Sequence, residues 1–365
     1  MAKLRYGAVV GLLSSMTLGS TVHVPPTFLN GSISMEKFSV AGNLDGFKMT
    51  TAANKTSFDF WYFDAMSTSD DAAINIVFFN TDNLKNPSPL AVQISGTFPN
   101  DTQFSGQTLA SDGADIRNDE HGVSGDWSGA GASFRGTNLE DANAEYEITF
   151  DAPSIGLEGT VKLQSRAPAH YPCDLNAPGV NQNLLPNLFW ADAVPDADAG
   201  IDLVTNGTSF NTINGIGYHD KNWGHASVIT SPKYWDWGHA RSGPYSVVWY
   251  DLVDYNNTEH VSAYAVRDGE AIQVSCADTA LQVRQCGNNG TYPPAAGLAE
   301  AKSLTAQFDL GAEGVLVANV TKGLIVHNDV VYARAVGSVN GGIKGKESFE
   351  GRAFFEEFVY GLLFE

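Results

Sequence analysis

The sequence predicts an all-β protein built from two units of similar size. Short stretches rich in aromatic and β-branched residues recur along the chain with the two-residue alternation of strands. No window shows the 3.6-residue periodicity of a long amphipathic helix. The 37 glycines among 365 residues supply many turns. Together these observations favour antiparallel β-barrels or β-sandwiches.

The first unit carries five strand patterns, beginning with "FDFWYFDAMS" and "AAINIVFFNT" on either side of the polar turn "TSDD". Because side chains alternate along a strand, Tyr62 and Asp64 share one face, and Trp61 and Phe63 share the other. We expect Tyr62 and Asp64 to face the ligand. The five patterns cover residues 58–67, 72–81, 89–98, 144–153 and 157–167.

The second unit follows a stretch without periodicity. Residues 167–187 are rich in Pro, Asn and Gly, which indicates a linker, so we expect domains over 23–185 and 186–365. The run "ADAVPDADAG" fits either a part of the second unit or a surface loop at the junction. A tight hairpin is predicted at "RDGE", residues 267–270. Further strand patterns cover residues 244–255, 260–275, 303–310, 313–321, 329–339 and 348–361.

The N-terminus has the order of a secretory signal peptide. Lys3 and Arg5 precede an apolar run over residues 6–18, and small residues follow. The run is short for a transmembrane helix. We therefore expect residues 1–22 to be a signal peptide cleaved near 19–22, with no membrane insertion afterwards. The alternative is a buried N-terminal strand or helix.

Two further features agree with the secretory pathway. Cys276 and Cys286 are close in sequence, so we expect a disulfide between them and a free Cys173. The alternative is three reduced, buried cysteines. Seven N-x-[ST] sequons predict N-glycosylation at Asn30, Asn54, Asn100, Asn206, Asn256, Asn289 and Asn319.

Charge and missing motifs exclude several functions. A formal charge of −20 repels nucleic acid and anionic membranes. The glycine-rich nucleotide loops, the serine-hydrolase elbow and the H-E-x-x-H zinc motif are all missing from the sequence. His219, His225 and His239 match no compact ligand spacing, so no metal is expected. The sequence favours an enzyme without cofactor that binds an apolar small molecule.

Residues 217–251 carry the densest chemistry. Four of the seven tryptophans lie there, beside Tyr, His and Asp residues. Aromatic walls suit an apolar ligand, and an acid buried against such a wall has a raised pKa and can donate a proton. The alternative is a well-capped turn beside a core tryptophan. The candidate acids of the chain are Asp64, Asp220, His239 and Asp251, and the candidate ligand contacts are Trp61, Tyr62, Tyr218, Lys221, Trp223, Trp235 and Trp249.

Three motifs resemble one protein family. "GYHDKNWG", "WYFD" and "GRAFFEEF", in their order along the chain, are similar to signatures of the hydroxyneurosporene-synthase-like superfamily, which includes fungal Diels–Alderases. The resemblance implies a pair of lipocalin-like β-barrels, and it matches Asp251 to the acid of the family. Lys221 and Trp249 depart from the pattern of the bacterial hydratases, which disfavours hydration of a double bond.

The resemblance implies a cyclase of fungal secondary metabolism. We expect a hetero-Diels–Alder reaction that joins a tropolone-derived quinone methide, formed by dehydration, to a sesquiterpene alkene such as a humulene alcohol. One alternative is acid-catalysed rearrangement of an epoxide in alkaloid or terpenoid biosynthesis. A carrier of apolar ligands and a secreted glycosidase with two carboxylates stay open as well.

Overall fold

The structure is a computed structural model that describes residues 19–49, 53–81, 87–119, 121–139, 143–286, 292–294, 301–329 and 331–363. Nearly all of its regular structure is β, which confirms the predicted all-β fold class. The strands are β1 (Ser20–Val24), β2 (Phe58–Met66), β3 (Ala73–Thr81), β4 (Leu90–Thr97), β5 (Gln103–Leu109), β6 (Gly113–Asp119), β7 (Gly122–Ser128), β8 (Ala132–Thr137), β9 (Glu145–Ala152), β10 (Leu157–Ser165), β11 (Asn183–Leu185), β12 (Leu188–Thr205), β13 (Thr208–Gly224), β14 (Pro232–Ser242), β15 (Tyr245–Asp254), β16 (Glu259–Arg267), β17 (Glu270–Ser275), β18 (Leu281–Cys286), β19 (Ser303–Asp309), β20 (Val315–Asn328), β21 (Tyr332–Ile343) and β22 (Phe349–Phe358). Short 3-10 helices occupy Pro153–Ile155, Val228–Thr230, Gly311–Glu313 and Tyr360–Leu363.

The strands form two antiparallel sheets. The first has thirteen strands in the order β1-β6-β7-β8-β9-β10-β12-β13-β2-β3-β4-β5, with β11 paired to β12. The second has nine strands in the order β17-β16-β15-β14-β22-β21-β20-β19-β18. The prediction of two antiparallel β units is confirmed.

The chain changes sheets later than the predicted domain division at 185/186. After the linker it returns to the first sheet, because β12 pairs with β10 on one side and with β13 on the other. β13 in turn pairs with β2. The run "ADAVPDADAG" is therefore part of a long strand, and the chain passes to the second sheet between β13 and β14.

Each sheet curls around an apolar core, and a third core lies between the sheets. In the first sheet, Phe78 of β3 and Trp127 of β7 are far apart in the strand order, yet their ring centroids are 5.0 Å apart. The core between the sheets contains Tyr62, Trp190 and Tyr250. Strands such as β2 are apolar on both faces because each face packs against a different core.

The predicted hairpin at "RDGE" is present between β16 and β17. Arg267 pairs with Glu270, and the two residues between them are left-handed, with φ of 54° at Asp268 and 85° at Gly269. This conformation belongs to the two-residue turns that match the twist of antiparallel strands. Asp and Gly are common at these positions because they tolerate positive φ.

The predicted Cys276–Cys286 disulfide is wrong. Cys276 is bonded to Cys173, with the Cα atoms 4.9 Å apart, and Cys286 is free and exposed. Cys276 follows β17 and Cys286 ends β18, and these two strands form opposite edges of the second sheet. The linker brings Cys173 to the second sheet, where β16 donates hydrogen bonds to linker carbonyls, among them Ser262 Oγ to Pro172 O at 2.6 Å.

The signal peptide and the glycosylation sites stay predictions. Residues 1–18 lie outside the described residues, and a cut near 19–22 would fall in or beside β1, whose Val24 is buried. Asn54 is half-buried and Asn289 lies outside the described residues, whereas Asn30, Asn100, Asn206, Asn256 and Asn319 are exposed. None of the described helices is long and apolar enough to cross a membrane.

Candidate active site

The motif "GYHDKNWG" is the last part of β13, and its side chains alternate between two environments. His219, Lys221 and Trp223 point into the first sheet. His219 Nε2 lies 2.9 Å from Asp45 Oδ2, and Trp223 Nε1 donates to the Glu36 carbonyl at 2.8 Å. Half of the motif therefore anchors the N-terminal segment of the chain across the first sheet.

Lys221 is fully buried in this anchoring network. Its ammonium group lies 2.8 Å from Asp59 Oδ1, donates to the Gly46 carbonyl at 2.7 Å, and sits 3.7 Å from the ring centroid of Trp61. Such a cation is stabilised by an ion pair, a hydrogen bond and an aromatic face at once. The predicted ligand contacts Lys221, Trp61 and Trp223 therefore lie inside the first sheet. Their side chains point away from the second sheet.

Tyr218, Asp220 and Asn222 point the other way, towards the second sheet. There the two sheets enclose a cavity of about 500 Å³. Asp220, Asn222 and Tyr62 contribute to its wall from the first sheet, as do Trp235 and Trp237 from the second. The other lining residues are Phe60, Asn75, Val77, Phe79, Gln93, Ile94, Ser95, Ser105, Gly106, Gln107, Val228, Tyr250, His327, Tyr332, Arg334, Glu356, Phe358 and Tyr360.

Asp220 is an acid held at the wall of this cavity. Its Oδ2 accepts hydrogen bonds from Trp190 Nε1 at 2.7 Å and from the Tyr218 hydroxyl at 2.8 Å. Its Oδ1 has no hydrogen-bond partner among the described residues. Burial raises the pKa of Asp220 well above its ordinary value, and the neighbouring Asp192 raises it further. Burial therefore favours the protonated form of Asp220, and Oδ1 is the oxygen without a hydrogen-bond partner among the described residues.

A second buried acid lies beside Asp220. Asp192 is its cross-strand neighbour on β12, and burial raises the pKa of Asp192 as well. His170 of the linker has Nδ1 2.9 Å from the Tyr171 carbonyl, so Nδ1 carries the hydrogen, and Nε2 faces Asp192 Oδ2 at 3.1 Å. Since burial lowers the pKa of His170 to about 3, the imidazole is neutral at neutral pH and gives Asp192 no positive partner.

Asp64 and His239 support the cavity wall from behind. His239 Nε2 lies 3.0 Å from Asp64 Oδ1, and the Tyr62 hydroxyl donates to Asp64 Oδ2 at 2.9 Å. The His239 ring also stacks on Tyr218, with centroids 4.8 Å apart. Asp64 thus contacts Tyr62 of the cavity wall, and His239 contacts Tyr218. Asp64, His239 and Tyr218, which was predicted to contact the ligand, do not line the cavity. Tyr62 and Asp64 share one face, as the alternation predicts.

An ion pair forms a second polar group in the wall. Arg334 Nη2 and Nε donate to Glu356 Oε2 at 2.6 and 3.2 Å, and Nη1 donates to Asn75 Oδ1. The Tyr332 hydroxyl donates to the same Glu356 oxygen at 2.9 Å. The guanidinium carbon lies 5.0 Å from the ring centroid of Tyr62. Aromatic contacts and hydrogen bonds therefore fix the guanidinium group in place.

Asp251 and Trp249 lie inside the second sheet instead. Asp251 is within 3.2 Å of Arg284 and accepts a hydrogen bond from the Tyr292 hydroxyl, and Trp249 Nε1 donates to Asp236 at 2.8 Å. In the cross-strand register, Asp236 stands between Asp251 and Glu357. Burial raises the pKa of Asp236 to about 6 and that of Glu357 to about 8.

Sequence reasoning missed several residues of the site. Arg334 and Asn75 stand in strands that read as apolar, and a single charged or amide side chain in such a strand is the signal that could have drawn attention to them. Asp192 lies in the run "ADAVPDADAG", which fitted a surface loop as well as a part of the second unit. The prediction that no metal is bound stays a prediction, and the described residues contain no group of His, Cys, Asp and Glu arranged to hold an ion.

The family follows from a comparison with known proteins. A family model described as Diels-Alderase-like matches residues 29–286, which cover β2 to β13 and much of the second sheet. The chain belongs to the Diels-Alderase-like family. The resemblance drawn from the three sequence motifs is thereby confirmed.

Two fungal relatives of this Diels-Alderase-like protein match nearly end to end. The quinolone epoxide rearrangement protein penF of Penicillium thymicola is 37% identical over 349 residues, covering 94% of this chain and 96% of the relative. The quinolone epoxide rearrangement protein asqO of Emericella nidulans is 36% identical, covering 97% and 100%. The Diels-Alderase cheD of Chaetomium globosum is 27% identical, covering 53% and 46%.

Solved structures share the fold of this Diels-Alderase-like protein. The crystal structure of CghA with Sch210972 superposes with a TM-score of 0.76 at 19% identity, covering 93% of this chain and 98% of that one. Kievitone hydratase from Nectria haematococca gives a TM-score of 0.52 at 12% identity, covering 92% and 98%. At these identities the likeness concerns the fold alone.

Proposed function

We propose that this protein rearranges an epoxide on a flat, largely apolar substrate of the quinolone type, with Asp220 as the acid. The observation that carries the proposal is the geometry of Asp220. Two donors occupy Oδ2, Oδ1 of this buried carboxyl has no hydrogen-bond partner among the described residues, and Asp220 lines the cavity. Similarity to two quinolone epoxide rearrangement proteins over nearly the whole chain supports the same reaction class.

The reaction needs one proton that is given and then returned. Oδ1 of Asp220 donates its proton to the epoxide oxygen, and the bond from that oxygen to the better-substituted carbon breaks. A neighbouring group migrates with its electron pair to the cationic carbon, which leaves a protonated carbonyl. That carbonyl returns its proton to Asp220. The product is an isomer of the substrate, and general acid catalysis of this kind contributes about 10²–10⁴-fold.

The aromatic wall suits the cation formed on the way. Trp237 lies between Tyr62 and Tyr218, with centroid distances of 5.2 and 5.0 Å, and Trp235 packs 5.0 Å from Tyr250. The faces of aromatic rings attract cations, and the attraction grows when water is absent. Such a wall stabilises positive charge on carbon.

The test is product analysis with the purified full-length protein. A quinolone epoxide is incubated with protein in EDTA-containing buffer, and chiral chromatography with mass spectrometry follows the isomeric carbonyl product. We expect one stereoisomer to form faster than in buffer alone, and Asp220→Asn to abolish the difference. A background rate with wild-type protein would contradict the proposal.

Cycloaddition is the second candidate function. Two Diels-Alderases are among the relatives, and a neutral acid beside a cavity can also donate a hydrogen bond to the carbonyl of a heterodiene. The expected reaction of a tropolone-derived quinone methide with a humulene alcohol stays a prediction. Incubation with both partners tests it, and a racemic product at the background rate would remove it.

We also propose that the protein enters the secretory pathway. The Cys173–Cys276 disulfide supports this, since disulfides persist in oxidising compartments. The exposed sequons support it too. Expression of the full chain in a fungal host, followed by a glycosidase-dependent mass shift of secreted protein, is the test. Unglycosylated protein retained in the cytosol would contradict the proposal.

A further inference from the structure

We propose that the Arg334–Glu356 pair recognises a ring amide of the substrate through its adjacent carbonyl and N–H groups. This inference deepens the proposed function, because it concerns the substrate of the same cavity. Asp220 is the acid of the proposed reaction and takes no part in the amide recognition. Both Arg334 and Glu356 line the cavity, and both are buried.

Arg334 has unused hydrogen-bond donors. A guanidinium group carries five N–H bonds. Two are directed at Glu356 Oε2 and one at Asn75 Oδ1, so two have no acceptor among the described residues. The group lies near the rings of Tyr62 and Tyr332, at 5.0 and 5.2 Å from their centroids, so it has little freedom to turn away. A carbonyl oxygen of a bound molecule is the natural acceptor.

Glu356 has an unused hydrogen-bond acceptor. Its Oε2 receives the hydrogen bonds from Arg334 and Tyr332, whereas Oε1 receives none from the described residues. A carboxylate accepts through both oxygens. The pair therefore presents unused donors and an unused acceptor side by side at the cavity wall.

The ligand that matches such a pattern is neutral and carries a cis amide. In a ring amide the carbonyl oxygen and the N–H hydrogen point to the same side, so one edge of the ring can meet both groups at once. The charges of Arg334 and Glu356 cancel, and a free carboxylate on the ligand would face the Glu356 charge. The aromatic walls formed by Trp235 and Trp237 suit the flat body of such a ring system.

The position of Arg334 also determines how a bound ring amide lies relative to Asp220. Asp220 pairs with Tyr62 across neighbouring strands, and Arg334 lies over the ring of the same tyrosine. A ligand whose amide edge rests on Arg334 and Glu356 extends over Tyr62 towards Asp220. The amide contact thus sets which atom of the substrate reaches the proton of Asp220.

The test measures binding without chemistry. Calorimetry compares three probes that lack an epoxide: 3,4-dihydroquinolin-2-one, its N-methyl derivative and tetrahydroquinoline, which lacks the carbonyl. Hydrogen bonds to charged groups imply that each change weakens binding to the wild-type protein by about tenfold or more. In Glu356→Gln, where the acceptor is no longer charged, we expect the N-methyl penalty to shrink at least about threefold. In Arg334→Lys the carbonyl penalty shrinks instead.

Glu357→Gln is the matched control, since it is the same change one residue further on and faces the interior of the second sheet. It should keep both penalties of the wild-type protein. Equal affinity of the wild-type protein for all three probes, or no measurable binding of the ring amide, would overturn the inference. Epoxide turnover is measured separately, so failure of the acid mechanism is distinguishable from failure of amide recognition.

Discussion

Two groups of buried carboxyls occupy different regions of this molecule. Asp192 and Asp220 lie between the sheets, and Asp220 lines a cavity of about 500 Å³. Asp236, Asp251 and Glu357 lie side by side within the second sheet. Burial raises the pKa in both groups, yet of these five residues only Asp220 lines the cavity, and its Oδ1 has no hydrogen-bond partner among the described residues.

A buried acid with a raised pKa is a candidate catalytic group only when a ligand can reach it. The row in the second sheet does not line this cavity. Asp236 accepts a hydrogen bond from Trp249, and Asp251 accepts hydrogen bonds from Arg284 and Tyr292. Its raised pKa values are a cost of burying carboxyls in a sheet core. Asp220 incurs the same cost, and in the proposed reaction it donates the proton that its raised pKa retains.

The largest effect is expected from Asp220→Asn. An amide keeps the shape of the carboxyl and has no acidic proton, so turnover should fall by about 10²–10⁴-fold while ligand affinity changes little. Asp251→Asn should leave turnover within about threefold, as a change remote from the reacting atoms. Steady-state kinetics on both variants makes the comparison. A larger loss in Asp251→Asn would transfer the acid role to the second sheet, as the family resemblance implies.

Glu357→Gln is expected to change stability and leave turnover as it is. Burial raises the pKa of Glu357 to about 8, so the native state binds a proton that the unfolded state releases. Stability due to this group is lost as pH rises from the ordinary Glu value to about 8, at up to about 1.4 kcal/mol per pH unit.

Urea unfolding at pH 6 and pH 8.5 measures the effect. The glutamine variant should show a flatter dependence of the unfolding free energy on pH than the wild-type protein. Glu350→Gln on the exposed face of β22 is the control and should behave as wild type. An unchanged slope in Glu357→Gln would mean that Glu357 is ionised in the folded protein.

The pH dependence of turnover should report Asp220. In the proposed mechanism the protonated form is active, so kcat/KM is expected to stay level below the raised pKa of Asp220 and to fall about tenfold per pH unit above it. A rate profile between pH 5 and 10 is the measurement. Activity that rises with pH would indicate a base in place of an acid.

The smallest effect is expected from Tyr218→Phe. The Tyr218 hydroxyl donates to Asp220 Oδ2 at 2.8 Å and lowers the pKa of the carboxyl by favouring its ionised form. Loss of this bond should reduce turnover by up to about tenfold and move the alkaline limb of the profile to higher pH. A shift to lower pH would show that the hydroxyl does not donate to Asp220.

Much of the fold could be predicted from the sequence, because strand alternation and turn residues are local signals. The hairpin around Asp268 and Gly269 is an example. The disulfide could not, because closeness along the chain hides the fact that β18 runs from Leu281 to Cys286 and so carries Cys286 about 17 Å from the turn that follows Cys276. Only the path of the linker reveals Cys173 as the partner of Cys276.

The candidate site was predicted only in part, because its residues come from strands that are distant along the chain. The alternation of β13 separates Asp220 from Lys221, but sequence does not say which face borders a cavity when both faces are buried. Arg334 and Glu356 come from strands more than a hundred residues after β13, so no local pattern joins them to Asp220. Sheet-to-sheet packing, which brings them together, is a property of the whole chain.

Strand β22 has a consequence for how the protein is made. It lies between β14 and β21 in the middle of the second sheet, so the ribosome must synthesise the chain from Pro232 to Phe358 before the two halves of that sheet can join. Glu356 arrives on this same strand. The binding site is thus completed only when the central strand is inserted, and a nascent chain stopped before it has neither a closed second sheet nor a site to occupy.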